Sequence, residues 1–272
     1  MRLQVSDLDR SVAYYTRVLG LTVLTRAADT ATLGVGRRPL IRLHERKGVA
    51  PAPPRGAFGL YHFAILLPDR ASLAKFLTHS SALGIRAGMA DHLVSEALYL
   101  TDPDGLGIEV YSDRPSRGWR YVNRELRMTT DPLDVEDLLS AADGVWAGAP
   151  EGTTIGHVHL HVGDLQKAEN FYHSGLGFTK TVWSYPGALF LSAGGYHHHL
   201  GTNTWSRGPS ARDDQARLLE WELLLPGSDD VAAAARSLRE AGYAPEPQPP
   251  DWIVADPWGT VLRLTSAIAI GS

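Results

Sequence analysis

The sequence predicts an α+β fold built from four βαβββ units, and three observations predict it. Val5-Ser6-Asp7-Leu8 returns as Val162-Gly163-Asp164-Leu165 after 157 positions, and the same offset carries Tyr15 to Tyr172, Leu19 to Leu176, Gly20 to Gly177 and Thr22 to Thr179. Each half also holds a second, looser copy. Leu67-Pro68 lies 158 positions before Leu225-Pro226, as Gly84 does before Gly242, and Asp102-Pro103 lies 154 before Asp256-Pro257. Each unit of this kind runs from an alternating strand pattern through a helix and back to strand patterns, so a repeated supersecondary unit is the natural reading.

The elements follow in order. Period-two alternation in Tyr61 to Leu67 and in Ile155 to Val162 marks opening strands. Helix start signals stand at Ser6-Asp7, Asp69, Asp164 and Ser228-Asp229, and the helices stop at Gly20, Gly84, Gly177 and Gly242. Val12, Tyr15, Val18 and Leu19 give the first helix one apolar stripe, and Ala168, Phe171 and Tyr172 do the same for the third. Asp102-Pro103-Asp104-Gly105 and Asp256-Pro257-Trp258-Gly259 read as turns, with Pro presetting φ and Gly supplying positive φ, and no chemistry is assigned to them. The partition expected from the repeat is a first paired domain over 1–115, a packed linker over 116–153 with a short helix near Val135 to Ala142, and a second paired domain over 154–272.

Composition narrows the function classes. The chain has 272 residues, 44% of them hydrophobic, enough for a large core. A net charge of −4 and scattered Lys and Arg give no basic face for nucleic acid. With no cysteine, disulfides and thiolate sites are excluded, and a transition metal must rely on His, Asp and Glu. No leader pattern follows Met1 and no apolar run reaches the ~18 residues of a membrane span, so a cytoplasmic protein without a membrane partner is expected. A homo-oligomer is compatible with this composition.

Two residues stand out on the strands. Glu109 is the one carboxylate in the apolar run that follows the 102–105 turn, and His62 sits in Gly59-Leu60-Tyr61-His62-Phe63. A histidine and a carboxylate on neighbouring strands make two thirds of a mononuclear iron site. Strict alternation sends Tyr61, Phe63, Ile65 and Leu67 toward the helices and His62 to the opposite face, and it sends Glu109 and Tyr111 inward while Ile108 and Val110 pack outward. In the second half, Ile155, His157, His159 and His161 share one strand face by the same rule, and the triple His197 to His199 is a further group that could bind metal.

Four βαβββ units in two pairs resemble the vicinal oxygen chelate superfamily, which includes glyoxalase I, bleomycin-resistance proteins and type I extradiol dioxygenases. Residues 59–70, Asp91 to Pro115 and Gly194-Gly195-Tyr196-His197-His198-His199 are most similar to bacterial catechol-2,3-dioxygenase proteins. The resemblance implies two cupped, incomplete barrels with helices outside. It also implies an extradiol ring-cleaving dioxygenase acting on a catechol-type aromatic with non-haem Fe(II) and O2. The family's iron ligands are a histidine opening one unit, a histidine opening the next, and a glutamate on that unit's last strand; His62 and Glu109 match the second and third. A family tyrosine ten residues before the glutamate corresponds to Tyr99, and the nearest match to its acid–base histidine is His92.

The first ligand has no counterpart in the first unit, because His157 minus the offset of 157 falls just before Met1. His157, His199 and Glu220 form a second-half set of candidate ligands. Glu220 and Arg263 there correspond to His62 and Glu109, and read first as an ion pair filling a retired pocket. Two alternatives stay open: a metal-free protein that binds or sequesters an aromatic ligand, and a lyase or isomerase using another divalent metal.

Overall fold

The helices begin where the carboxylates stand. Asp7, Asp69 and Asp164 each accept a hydrogen bond from the backbone N–H three residues on, capping helices Leu8–Arg17, Arg70–Ala82 and Leu165–Ala168. The helix of the fourth unit, Ser228–Glu240, starts with the Asp230 carboxylate accepting from the Gly227 N–H. Gly20, Gly84, Gly177 and Gly242 all take positive φ, the conformation that ends a helix without steric penalty. The computed structural model describes residues 1–53 and 56–266.

Two eight-stranded sheets form, and each joins two units. The terminal sheet joins the first unit to the fourth through antiparallel pairing of Arg2–Val5 with Arg217–Leu225. The central sheet joins the second to the third through Thr154–His161 against Gly59–Leu66. Four βαβββ units therefore pair into two cupped, incomplete barrels with their helices outside, the expected α+β architecture.

The partnership differs from the expected one, in which 1–115 and 154–272 each formed a pair. Each unit folds with its opening strand at one sheet edge, leaving that edge's N–H and C=O groups to be satisfied by another opening strand. Because the repeats present equivalent edges, their similarity does not choose among partners. Units adjacent in sequence touch instead through helices and turns. Tyr15 Oη donates to Asp102 at 3.0 Å, and the offset equivalent Tyr172 Oη donates to Asp256 at 2.8 Å. One apolar cluster runs through all four units, with Tyr15 stacked on Phe63.

The segment between the halves packs against the second unit and carries a helix at Val135–Ser140 capped by Asp134. Asp137 pairs with Arg70, Asp143 with Lys75, and Trp146 lies edge-on to Phe76. Its earlier part bridges to the second unit, where Asp91 and Asp131 exchange backbone hydrogen bonds. No helix among the described residues is long and apolar enough to cross a membrane.

Candidate metal centre

Four adjacent strands of the central sheet align one transverse row: His157 opposite Ala64, Ala64 beside Glu109, and Glu109 opposite Tyr99. Ala64 is the small member of the row. With only a methyl between them, His157 Nε2 and Glu109 Oε2 approach to 3.2 Å. His62 joins from two residues along the Ala64 strand, its Nε2 3.0 Å from the same Oε2. The donor atoms of His62, Glu109 and His157 all lie within 4.8 Å of one another, and all three residues are buried.

Two bulges build this face. Gly156 is the extra residue between the Ile155–Ile65 and His157–Ala64 pairs. A Cβ there would lie 1.9 Å from the Tyr111 hydroxyl, so the position requires glycine. The bulge turns Ile155 toward the main apolar cluster, away from the face of His157, His159 and His161 that it was expected to share. On the partner strand Tyr61 is the extra residue between the His62–His159 and Leu60–Leu160 pairs. It therefore turns to the side of His62, correcting the outward direction that strict alternation gave it; its ring packs on His62, His159 and His161.

Electrostatics suit a cation. Burial alone pushes Glu109 up, but His157 and His62 beside it hold its carboxyl well below the usual range, so it is ionised. Burial pushes His157 down to about 4, leaving a neutral imidazole at neutral pH. His62 Nε2 is buried yet has no aligned hydrogen-bond partner. An orphaned imidazole nitrogen, a neutral imidazole and a carboxylate converging on one point fit a divalent metal; two histidines and one carboxylate are the donor set of non-haem iron oxygenases.

Against this row lies a cavity of about 380 Å³, lined by His62, Glu109, Tyr99, His92, His159 and His198 together with aromatic walls. His92 Nδ1 is 2.6 Å from the Thr129 carbonyl, which only accepts, so that nitrogen carries a proton. Its Nε2, 2.6 Å from Tyr99 Oη, then accepts a hydrogen bond from the Tyr99 hydroxyl. Burial, and after it the Glu109 charge, pushes the Tyr99 phenol well up, so it stays protonated.

A family model described as the Glyoxalase/Bleomycin resistance protein/Dioxygenase superfamily matches residues 1–110 and 154–261. The chain belongs to this superfamily. Catechol-2,3-dioxygenase of Bacillus subtilis (strain 168) is 43% identical over 263 residues, covering 94% of this chain and 92% of that protein. In fold, this superfamily member resembles a solved chain of Bacillus subtilis subsp. subtilis str. 168, with a TM-score of 0.68, 13% identity, and coverage of 98% and 83%. Glyoxalase I from Zea mays is similar at a TM-score of 0.57 and 19% identity, with coverage of 97% and 89%.

Within this superfamily member the structure brings together His62, Glu109, His92 and Tyr99, and it adds His157 from the third unit as the third member of the cluster. The second-half set does not assemble. Glu220 lies in the terminal sheet, where Arg263 Nε and Nη2 donate to its two oxygens at 2.9 Å each, the ion pair expected there. His199 is also apart from His157; its Nδ1 accepts from the Ala193 N–H at 3.3 Å and faces the Ser192 hydroxyl at 3.1 Å. The physical reasons are the sheet partnership and a break in the strand: residues 193–199 are irregular, so alternation does not set their directions.

The neighbour that does approach is His198, its ring 4.1 Å from that of His157. His198 Nδ1 is 2.7 Å from His197 Nδ1, and His197 Nε2 is 2.8 Å from Asp113 Oδ1. Sequence reasoning treated the histidine triple as a group and did not single out His198, nor Asp113 four residues after Glu109. The run Tyr196-His197-His198-His199 was the available signal, but only the loop geometry sorts it.

Proposed function

We propose that the protein is an extradiol ring-cleaving dioxygenase that uses non-haem Fe(II) and O2 on a catechol-type aromatic, in the cytoplasm. The observation that carries this reading is the buried convergence of His62, Glu109 and His157, the first two of which line an aromatic-walled cavity. The 43% identity with a catechol-2,3-dioxygenase supports it independently.

His62, His157 and Glu109 would hold the metal. Bound there, Fe(II) supplies Lewis acidity toward the diol and redox access to O2. The protein's own groups do the rest. Tyr99 presents a protonated phenol beside Glu109, and the His92 nitrogen behind it receives or returns that proton, so the pair can hold and move a proton at a substrate oxygen. Phe190, Tyr185 and Trp205 form apolar walls that orient a planar ring and exclude bulk water. With His157 in the cluster, the metal-free alternative loses the missing ligand that favoured it.

Protein purified anaerobically and loaded with Fe(II) should hold close to one iron per chain and consume O2 in step with catechol loss. Glu109→Ala should lose both iron and turnover. Retention of both by that variant would sink the assignment, and turnover that needs another divalent metal and no O2 would favour a lyase or isomerase.

A further inference from the structure

The central sheet ends at two edge strands, Gly88–Asp91 in the second unit and Thr179–Val182 in the third, and one segment of the linker ties the two ends together. Beside the third-unit edge, the Glu125 carboxylate accepts from the backbone N–H groups of Trp183 and Ser184, both at 2.6 Å. At the second-unit edge, the Asp131 N–H donates to the Asp91 carbonyl and the Asp91 N–H donates to the Asp131 carbonyl, both at 2.9 Å. Between these anchors Leu126 is buried in an apolar cluster with Val94 of the second unit and Phe190 of the third. Met128, Thr129 and Thr130 then line the cavity that His62 and Glu109 also line.

Two consecutive residues of this strap each hold one cavity-lining ring. On the second-unit side, the Thr129 carbonyl accepts from His92 Nδ1 at 2.6 Å. On the third-unit side, the Thr130 hydroxyl shares a 2.9 Å hydrogen bond with Tyr185 Oη, which has no other partner among the described residues. A backbone carbonyl only accepts, so it fixes His92 as the Nδ1–H tautomer and leaves Nε2 to accept from Tyr99. With that carbonyl withdrawn, the neutral ring could carry its proton on Nε2 and would donate to Tyr99 Oη instead of accepting from it. The phenol proton would lose its acceptor. Because the group that holds His92 is main chain, the path of the strap, rather than the side chain at position 129, sets this direction.

We propose that the linker segment from Glu125 to Asp131 is a positioning strap for the reaction: its Thr129 carbonyl keeps His92 in the tautomer that can take the Tyr99 proton, and its Thr130 hydroxyl holds Tyr185 as a wall of the ring site. Thr129 and Thr130 are thus positioning residues, the first acting through His92 and the second through Tyr185. The inference rests on the ring-cleaving reading for the reaction that the strap serves, and on the hydrogen bonds alone for the tautomer. It divides the labour along the strap: the Thr129 side governs proton handling, and the Thr130 side governs how the substrate ring is seated.

Imidazole 15N NMR of the metal-free protein reads the tautomer whether or not any ring is cleaved, and His92→Gln identifies the His92 signals among those of the 11 histidines. The parent should show His92 protonated on Nδ1 alone. Asp131→Pro removes the N–H that donates to Asp91, and a glycine inserted between Met128 and Thr129 shifts the strap at the carbonyl itself; melting temperatures identify the folded variants. In both, the Nε2–H form of His92 should appear, and in iron-loaded protein kcat for catechol should fall about 10- to 100-fold at unchanged iron content. Thr130→Val should instead raise KM for catechol about fivefold with kcat close to the parent value, the scale of one ordinary hydrogen bond, and Thr130→Ser, which keeps the hydroxyl, should restore it. A His92 proton that stays on Nδ1 in both folded strap variants, or a Thr130→Val KM equal to the parent's, would overturn the inference. A tautomer that responds to the strap in a protein that cleaves no catechol would retain the strap's hold on His92 and remove the dioxygenase reading instead.

Discussion

Glu220 and Arg263 hold in the terminal sheet the register that His62 and Glu109 hold in the central one. Glu109 pairs with Ala64, two residues beyond His62, and Arg263 pairs with Glu222, two residues beyond Glu220. The same backbone position thus carries a histidine–carboxylate pair of the candidate metal cluster in one cup and a bidentate ion pair in the other.

Breaking that ion pair should therefore affect stability and spare the metal centre. Glu220→Ala leaves Arg263 partly buried with only Asp251 and Gln248 near its nitrogens. A loss of about 2 kcal/mol in urea unfolding is expected, because two charge-assisted hydrogen bonds are lost while Asp251 still compensates the Arg263 charge. Iron stoichiometry should remain that of the parent protein; a variant that loses iron as readily as Glu109→Ala would show that the terminal cup contributes to the centre.

Ala64 makes a sharper test of the transverse row. It is fully buried between His157 and Glu109, so Ala64→Leu should drive the two apart. Overpacking of this kind costs about 1–3 kcal/mol, which a folded chain can tolerate. Metal analysis after Fe(II) loading should show less than a tenth of the parent's iron in a protein that still unfolds cooperatively. Full iron occupancy would mean that the row's spacing does not set the cluster.

The repeat offset made the units, the helix limits and the ion pair in the terminal cup legible, because each rests on local patterns: an Asp before a helix, a Gly after it, an apolar stripe. Strand patterns singled out His62 and Glu109, the family resemblance set Tyr99 and His92 beside them, and the structure brings the four side chains together. What the offset could not convey was which edge meets which. His157 was visible, but its relation to Glu109 depends on pairing between units 2 and 3, a long-range choice that equivalent edges leave undecided. Tyr61 was misdirected for a related reason, since a bulge shifts alternation by one residue and only the partner strand reveals it. His198 was hidden by the irregular backbone around it.

The turn carboxylate Asp102 predicts a pH signature. Burial pushes it up to about 6, against the hydrogen bonds from Leu106, Tyr15 and Asp104 that lower it. Between the unfolded value near 3.8 and about 6, the folded chain binds more protons than the unfolded one, so this group's contribution is present at low pH and is lost as pH rises through that window. The loss is on the order of 2–3 kcal/mol. Asp102→Asn should flatten the corresponding part of the stability–pH curve measured by urea unfolding; an unchanged slope between those pH values would assign the effect elsewhere.

Asp113 tests whether the histidine pair beside the cluster is more than packing. The Asp113 carboxylate only accepts, so His197 donates to it through Nε2. With His197 neutral, its Nδ1 must then accept, and the proton shared across the 2.7 Å contact belongs to His198 Nδ1. That leaves His198 Nε2 without a proton, on a ring that lines the cavity and packs on His157. Asp113→Leu removes the acceptor and frees the tautomer of both rings. Asp113 thus acts as a positioning residue: kcat should fall about 10- to 100-fold, the scale typical of groups that orient a metal site's neighbours, while KM and bound iron stay close to the parent values. Asp113→Asn, whose side-chain oxygen can still accept from His197, should recover part of the loss. Equal kcat for the parent and Asp113→Leu at matched iron occupancy would reduce the Asp113–His197–His198 chain to a structural contact.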